Sequence, residues 1–203
     1  MRVIAGSKRS IPLHALAGDH TRPTTDRIKE TLFNMLGTDV VGVDFLDLYA
    51  GSGQIGIEAL SRGANSAVFC DNDHQAVSII GKNLAKTGLN SRSSVMAFDV
   101  STAIRKLGSQ GHSFDIVFMD PPYALMQEKK VLQSLLAEGV LKEGALIVIE
   151  ASIERDFKFA EDLGYEIVRV KQYKSNQHVF LKRTDPEQPA EQPTDDASAA
   201  KNN

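Results

Sequence analysis

The chain has 203 residues, 42% of them apolar and 24% charged, with a formal net charge of −3. That length fits one α/β-sized domain with small additions, and the composition excludes a fibrous or wholly disordered chain. The strongest apolar run, Ala145-Leu-Ile-Val-Ile149, is far shorter than the ~20 residues of a membrane-spanning helix. No charged-then-apolar leader opens the sequence, and the single cysteine, Cys70, has no internal disulfide partner. A soluble cytoplasmic protein is expected, with Cys70 as a buried small hydrophobe. The charge is unevenly spread. Residues 1–35 hold Arg2, Lys8, Arg9, Arg22, Arg27 and Lys29 against Asp19, Asp26 and Glu30, whereas residues 184–203 hold five acids against Lys201. A basic N-terminal arm on a neutral body is compatible with a phosphate-binding footprint and equally with a solvated loop.

In chain order, residues 2–5 and 11–16 read as a hairpin, and Ile28, Leu32, Met35 and Leu36 mark a helix starting near Thr24 or Thr25. From 42 to 150, short β-branched runs alternate with stretches of helical period. Strands are expected at 45–48, 67–70, 94–98, 114–119 and 145–150. Helical segments are expected at 51–63, 73–87, 102–107 and 127–137, with Gly88 as a left-handed cap. A further helix at 156–163 leads to strands at 166–172 and 178–182, close enough to pair antiparallel. The pattern predicts an α/β, doubly wound and mostly parallel sheet with an antiparallel C-terminal edge. Residues 1–40 form a hairpin-helix extension, 41–183 the main domain, and 184–203 a disordered tail.

Two segments carry chemistry. Asp47-Leu-Tyr-Ala-Gly51-Ser-Gly53-Gln-Ile-Gly56 ends a strand and opens a helix, where glycines let a ligand approach the backbone and the helix offers unpaired N–H groups. Asp71, twenty residues after Gly51 at the next strand's tip, is placed to accept ribose hydroxyls. An adenosine-containing cofactor follows, either a nicotinamide dinucleotide or S-adenosylmethionine. In the second case Asp99, after the third strand, is a candidate acceptor for the adenine amino group, although a helix-start aspartate has the same appearance.

Phe118-Met119-Asp120-Pro121-Pro122-Tyr123 closes the fourth strand, at the sheet end where doubly wound folds bind ligands. Two prolines fix φ and remove two donors, so the turn presents acceptors. Asp120 and the Pro121 carbonyl can accept both hydrogens of a nucleobase amino group, drawing its lone pair out of conjugation, and Tyr123 can stack on the extruded base. His14, His20, His74, His112 and His178 show no metal-ligand spacing, so no catalytic metal is expected.

The glycine loop followed by D-P-P-Y is similar to the amino-directed S-adenosylmethionine methyltransferases. With Met1-Arg-Val-Ile-Ala-Gly6, the block Thr21-Arg-Pro-Thr-Thr-Asp-Arg27 and Gly56-Ile-Glu-Ala-Leu-Ser-Arg-Gly-Ala64, residues 1 to about 183 resemble the RsmD family of 16S ribosomal RNA guanine-N2 methyltransferases. The sequence departs from that family's pattern at Ser7-Lys-Arg-Ser-Ile-Pro12 and at Tyr173-Lys-Ser-Asn176. The resemblance implies a class I S-adenosylmethionine-dependent methyltransferase fold and one methyl placed on the 2-amino group of a single guanine, on the assembled or nearly assembled 30S subunit. It assigns cofactor contacts to Asp47, Tyr49, Ala50, Gly51, Ser52, Gly53, Asp71, Asn72, Asp99 and Val100, and catalysis to Asp120, Pro121, Pro122 and Tyr123. Arg9, Arg22 and Thr24 are the RNA-contact candidates, and a monomer is expected. A DNA adenine-N6 methyltransferase, a nicotinamide dehydrogenase and a non-catalytic RNA-binding assembly factor are the alternatives.

Overall fold

In the computed structural model, which describes residues 1–16, 26–122 and 127–184, the apolar runs become strands and the amphipathic stretches become helices. The strands are β1 (Asp44–Leu48), β2 (Ser66–Asp71), β3 (Ser93–Ala97), β4 (Phe114–Met119), β5 (Leu141–Ser152), β6 (Tyr165–Gln172) and β7 (Asn176–Arg183). The helices are α1 (Asp26–Leu36), α2 (Gln54–Ser61), α3 (His74–Thr87), α4 (Val100–Ser109) and α5 (Glu128–Ala137). One seven-stranded sheet runs in the order β3-β2-β1-β4-β5-β7-β6. β1 to β5 are parallel, and β7 enters antiparallel between β5 and β6. The expected doubly wound sheet with an antiparallel edge is therefore the observed one, with β7 inside that edge and β6 outermost.

The central strands β1, β2, β4 and the latter half of β5 are buried almost throughout because each of their faces is covered. Leu46, Leu48, Val117, Met119, Ile147 and Ile149 meet α4 and α5 on one side, while Phe45, Phe69, Ile116 and Val148 meet α1, α2 and α3 on the other. Asp73 caps α3 by accepting the Gln75 N–H, and Gly88 ends it at φ 65°, as its sequence signals require. At the pole where the parallel strands begin, Lys142 Nζ lies 2.8 Å from both Asp44 and Asp115. That contact leads the hydrogen bonds that hold the Asp44 carboxyl down at about 2.

Two expected elements differ. Residues 156–163 form a 3-10 turn (Lys158–Leu163) in place of an α-helix, docked under the buried Phe157 and Ala160. The N-terminal hairpin is reduced to a single bridge, Arg2 to Pro12. Residues 1–3 still exchange backbone hydrogen bonds with residues 10–13, while backbone groups of residues 4–8 turn outward to α2. Glu58, fully buried, accepts the Ile4 and Ala5 N–H groups at 2.7 and 2.9 Å and the Arg62 Nε–H at 2.8 Å. Ser61 takes the Ser7 and Lys8 N–H groups and donates to the Ala5 carbonyl. Gly6, at φ 81°, passes so close to this turn that a Cβ would sit 1.9 Å from the Ser61 carbonyl oxygen, so only glycine fits. Lys29 of α1, also fully buried, completes the hub: its Nζ donates to the Arg2 carbonyl at 2.7 Å and lies 3.7 Å from Glu58. Burial pushes the Lys29 ammonium below the ordinary lysine range against the pull of Glu58. Val3, Leu13, Leu32, Phe33 and Leu36 share a core with α2 and β1, so the extension has no separate core of its own.

Removing one partner from a buried ion pair leaves an uncompensated charge. Glu58→Ala is expected to destabilise the chain by about 3–5 kcal/mol in denaturant unfolding, and Glu58→Gln by clearly less, because the amide still accepts the Ile4 or Ala5 N–H. Equal losses in the two variants would contradict the acceptor role and leave the charge as all that Glu58 contributes.

Candidate active site

In the order 3-2-1-4 the chain reverses its direction of travel across the sheet at β1, which places the switch point between β1 and β4, and there the predicted residues converge. The loop after β1 turns sharply. Tyr49 takes φ 59°, rare for a bulky side chain, and Gly51 and Gly53 take 55° and 76°. Tyr49 is held there by its hydroxyl, which donates to Gln127 Oε1 at 2.6 Å. Gly56 faces inward: a Cβ would lie 2.4 Å from the Phe69 ring and 3.2 Å from Asp47 Oδ2. The third glycine therefore lets α2 close on β1 and β2.

Two carboxylates pin this loop. Asp47, 1% exposed, accepts the Gly56 N–H at 2.9 Å. Burial pushes its carboxyl up to about 8, the neighbouring Asp71 and Asp120 add to the rise, and the Gly56 bond opposes it. Asp71 spans the turn, with Oδ2 accepting from Gly51 N–H at 2.8 Å and Oδ1 from Asp73 N–H at 2.9 Å. From behind, the buried Asn83 of α3 donates to the Ser52 and His14 carbonyls and accepts the His14 N–H. The N-terminal segment and the glycine loop are thus fastened to one side chain.

These elements enclose a cleft of about 500 Å³, in which Asp47, Tyr49, Ala50, Gly51, Ser52, Asp71 and Asn72 face Asp120, Pro121 and Pro122. Gly53, Asp99 and Val100 are not part of its lining. Gly53 caps α2, and Asp99 caps α4 by accepting the Thr102 N–H at 3.0 Å. A hydrogen bond from the Thr102 side chain, followed by the Thr102 and Ser101 N–H groups, holds the Asp99 carboxyl below the ordinary range. Arg9 is exposed in the N-terminal turn, away from the lining, while Arg22, Thr24 and Tyr123 lie outside the described residues. Cys70 is fully buried, and burial pushes its thiol up to about 12.

Sequence reasoning missed part of the wall. Met1, Leu16 and Ile28 reach the cleft from the N-terminal segment, and Glu150, Ser175 and Asn176 from the β5 and β7 ends. Glu150 had a legible signal, a carboxylate closing an apolar strand at the same sheet end as Asp120. Asn176 had none, because its place depends on β7 inserting beside β5.

The lining contains the carboxylates of Asp47, Asp71, Asp120 and Glu150 and, among the described residues, no lysine, arginine or histidine side chain. A cationic sulfonium cofactor suits such an acid lining, whereas a pyrophosphate would have only the N–H groups at the start of α2 to set against these acids. The residues present therefore fit S-adenosylmethionine and disfavour a nicotinamide dinucleotide.

The family model described as "Conserved hypothetical protein 95" matches residues 1–182. A Bacillus subtilis protein named "Putative rRNA methyltransferase YlbH" is 40% identical over 164 residues, 81% of this chain and 88% of its own. "Ribosomal RNA small subunit methyltransferase D" of Escherichia coli K12 is 36% identical over 154 residues, 76% of each chain. A solved structure, "Putative methyltransferase yhhF from Escherichia coli", superposes with a TM-score of 0.81 at 32% identity, covering 91% of this chain and 98% of that one. With the loop and the Asp120 turn meeting in one cleft, these matches make the chain a member of the RsmD family and an S-adenosylmethionine-dependent methyltransferase of class I fold.

Proposed function

We propose that the chain methylates the exocyclic 2-amino group of one guanine in 16S ribosomal RNA, acting on the assembled or nearly assembled 30S subunit. The carrying observation is the placement of Asp120-Pro121-Pro122 in the same acid-lined cleft as the glycine loop. The ribosomal RNA small-subunit name of its relatives supports the substrate.

When bound, S-adenosylmethionine supplies a methyl group activated by the positive sulfur. The loop Tyr49 to Gly53 and Asp71 would seat the cofactor, and Asn72, Asp99 and Val100 would hold its adenosine end. Asp120 and the Pro121 carbonyl accept the two amino hydrogens of the base. This localises the nitrogen lone pair and aligns it with the methyl carbon. The nitrogen gains the methyl and loses one proton, to Asp120 or to water. Tyr123 stacks on the extruded base, and Arg9, Arg22 and Thr24 hold the surrounding RNA.

Labelled methyl transfer onto unmethylated 30S subunits, free 16S RNA and duplex DNA, followed by nucleoside analysis, is expected to yield N2-methylguanosine mainly with the subunit. N6-methyladenine in DNA would replace the substrate, and no label in any arm would reject the reading. Asp120→Ala is expected to abolish transfer while cofactor affinity stays within a few-fold. Asp71→Ala should instead weaken cofactor binding by about 1–3 kcal/mol, since it removes a charged acceptor and frees the Gly51 turn; an unchanged dissociation constant by calorimetry would contradict its role.

Asp47 gives a pH signature. With its carboxyl at about 8, it is largely protonated in the cofactor-free chain at neutrality. A cation bound beside it favours the charged form, so binding expels a proton and tightens as pH rises from about 6 to about 8, then levels off. Asp47→Asn is expected to bind with a flat profile, and calorimetry in buffers of different ionisation heat reads the released proton directly.

A further inference from the structure

Beside Asp120 stands a chain of buried polar groups that methyl transfer itself does not use. Glu150 follows Ile149, which pairs with Met119 of β4. Glu150 within β5 and Asp120 just past the end of β4 therefore stand side by side on adjacent parallel strands, and both line the cleft. Glu150 is only 5% exposed. The antiparallel β7 sets His178 opposite Glu150 and Asn176 opposite Ser152. Asn176 Nδ2 donates to Glu150 Oε1 at 2.6 Å, and His178 Nε2 lies 3.2 Å from Glu150 Oε2. His178 is fully buried, the Tyr173 hydroxyl lies 3.1 Å from its Nδ1, and Phe118, Tyr173 and Phe180 meet its ring edge-on. A neutral imidazole with its hydrogen on Nε2 satisfies both contacts: Tyr173 O–H donates to Nδ1, and Nε2–H donates to Glu150. All donors in the chain run toward one carboxylate in the cleft wall.

We propose that Glu150 reads the target base, its carboxylate accepting the N1–H of guanine while Asp120 and the Pro121 carbonyl hold the adjacent 2-amino group. Asn176, His178 and Tyr173 are positioning residues that fix the carboxylate. The inference rests on the guanine-N2 reading and deepens it. Guanine carries a donor, N1–H, next to its amino group, whereas adenine carries the bare acceptor N1 beside its own. A carboxylate there attracts the first and repels the second. Each carboxylate oxygen accepts more than one hydrogen bond, so the base N–H joins the Asn176 and His178 donors without displacing them. The buried acceptor then gives strong rejection of any base that lacks the hydrogen, because it is left facing a lone pair.

The test uses 30S subunits reconstituted with the target nucleotide as guanine or as 2-aminopurine, which keeps the 2-amino group and lacks N1–H. The unaltered chain is expected to favour guanine by about 100-fold or more in kcat/KM. Glu150→Gln, whose amide can donate to a bare N1, is expected to lower guanine transfer more than about tenfold and to shrink or invert that preference, while any change in cofactor Kd from the lost lining charge applies to both substrates alike and cannot change the ratio. Tyr173→Phe keeps the ring and should shrink the preference in the same direction by a smaller factor, which covers the case where Glu150→Gln fails to fold. A preference unchanged in every folded variant overturns the proposal even if activity falls, since a purely structural loss scales both substrates alike. An unaltered chain that methylates neither nucleotide overturns the guanine-N2 reading instead.

Discussion

The site depends on two carboxylates, the buried Asp47 and the half-buried Asp71, satisfying backbone N–H groups that the glycine turn leaves exposed. Asp47 holds Gly56 at the start of α2, and Asp71 holds Gly51 across the turn. A helix beginning this close to two strands cannot carry a side chain at position 56, because the Phe69 ring occupies that space. Glycine and carboxylate are thus two halves of one constraint: the missing Cβ permits the approach, and the acid stabilises the N–H that the approach buries. Because Asp47 is almost fully desolvated, that arrangement also leaves a carboxyl whose charge state answers to whatever cation arrives next to it.

The N-terminal forty residues look separable in sequence and are not separable in packing. Glu58 and Ser61 on α2, Lys29 on α1 and Asn83 on α3 take up backbone groups of residues 2–8 and 14. The short pairing of residues 1–3 with 10–13 leaves those groups without a partner inside the segment. Spending them on α2 and α3 brings Met1 and Leu16 to the cleft mouth. Among the described residues, Arg2, Lys8 and Arg9 are consequently carried at a fixed place relative to the Asp120 turn, which a loosely tethered arm would not provide.

The order of strands and helices was legible because the central strands are buried on both faces and α3, α4 and α5 on one, so hydrophobic period reports most of them. The glycine loop, Asp71 and the Asp120 turn were legible for a different reason: they are local segments whose meaning depends only on lying at strand ends. What escaped was non-local. Nothing near Glu58 announces that it will accept the N–H groups of Ile4 and Ala5, more than fifty residues away. Asn176 and His178 acquire a role only once β7 inserts antiparallel beside β5. Asp99 shows the converse limit, since the same sequence position supports both a helix cap and an adenine acceptor, and the structure displays the cap.

The electrostatics of the cleft bear on a polyanionic substrate under the proposed reading. RNA brings phosphates and bases together, and an acid-lined pocket treats them oppositely. Phosphate is repelled by Asp71, Asp120 and Glu150, while the donor edge of a neutral guanine is attracted. Affinity for the RNA backbone must therefore come from basic groups away from the lining, where Arg9 is exposed. Raising the pocket's positive charge to gain RNA affinity would weaken both the sulfonium site and the amino-group acceptors. Separating a basic periphery from an acidic centre resolves that conflict, and it accounts for a nucleic-acid enzyme whose whole-chain charge is −3.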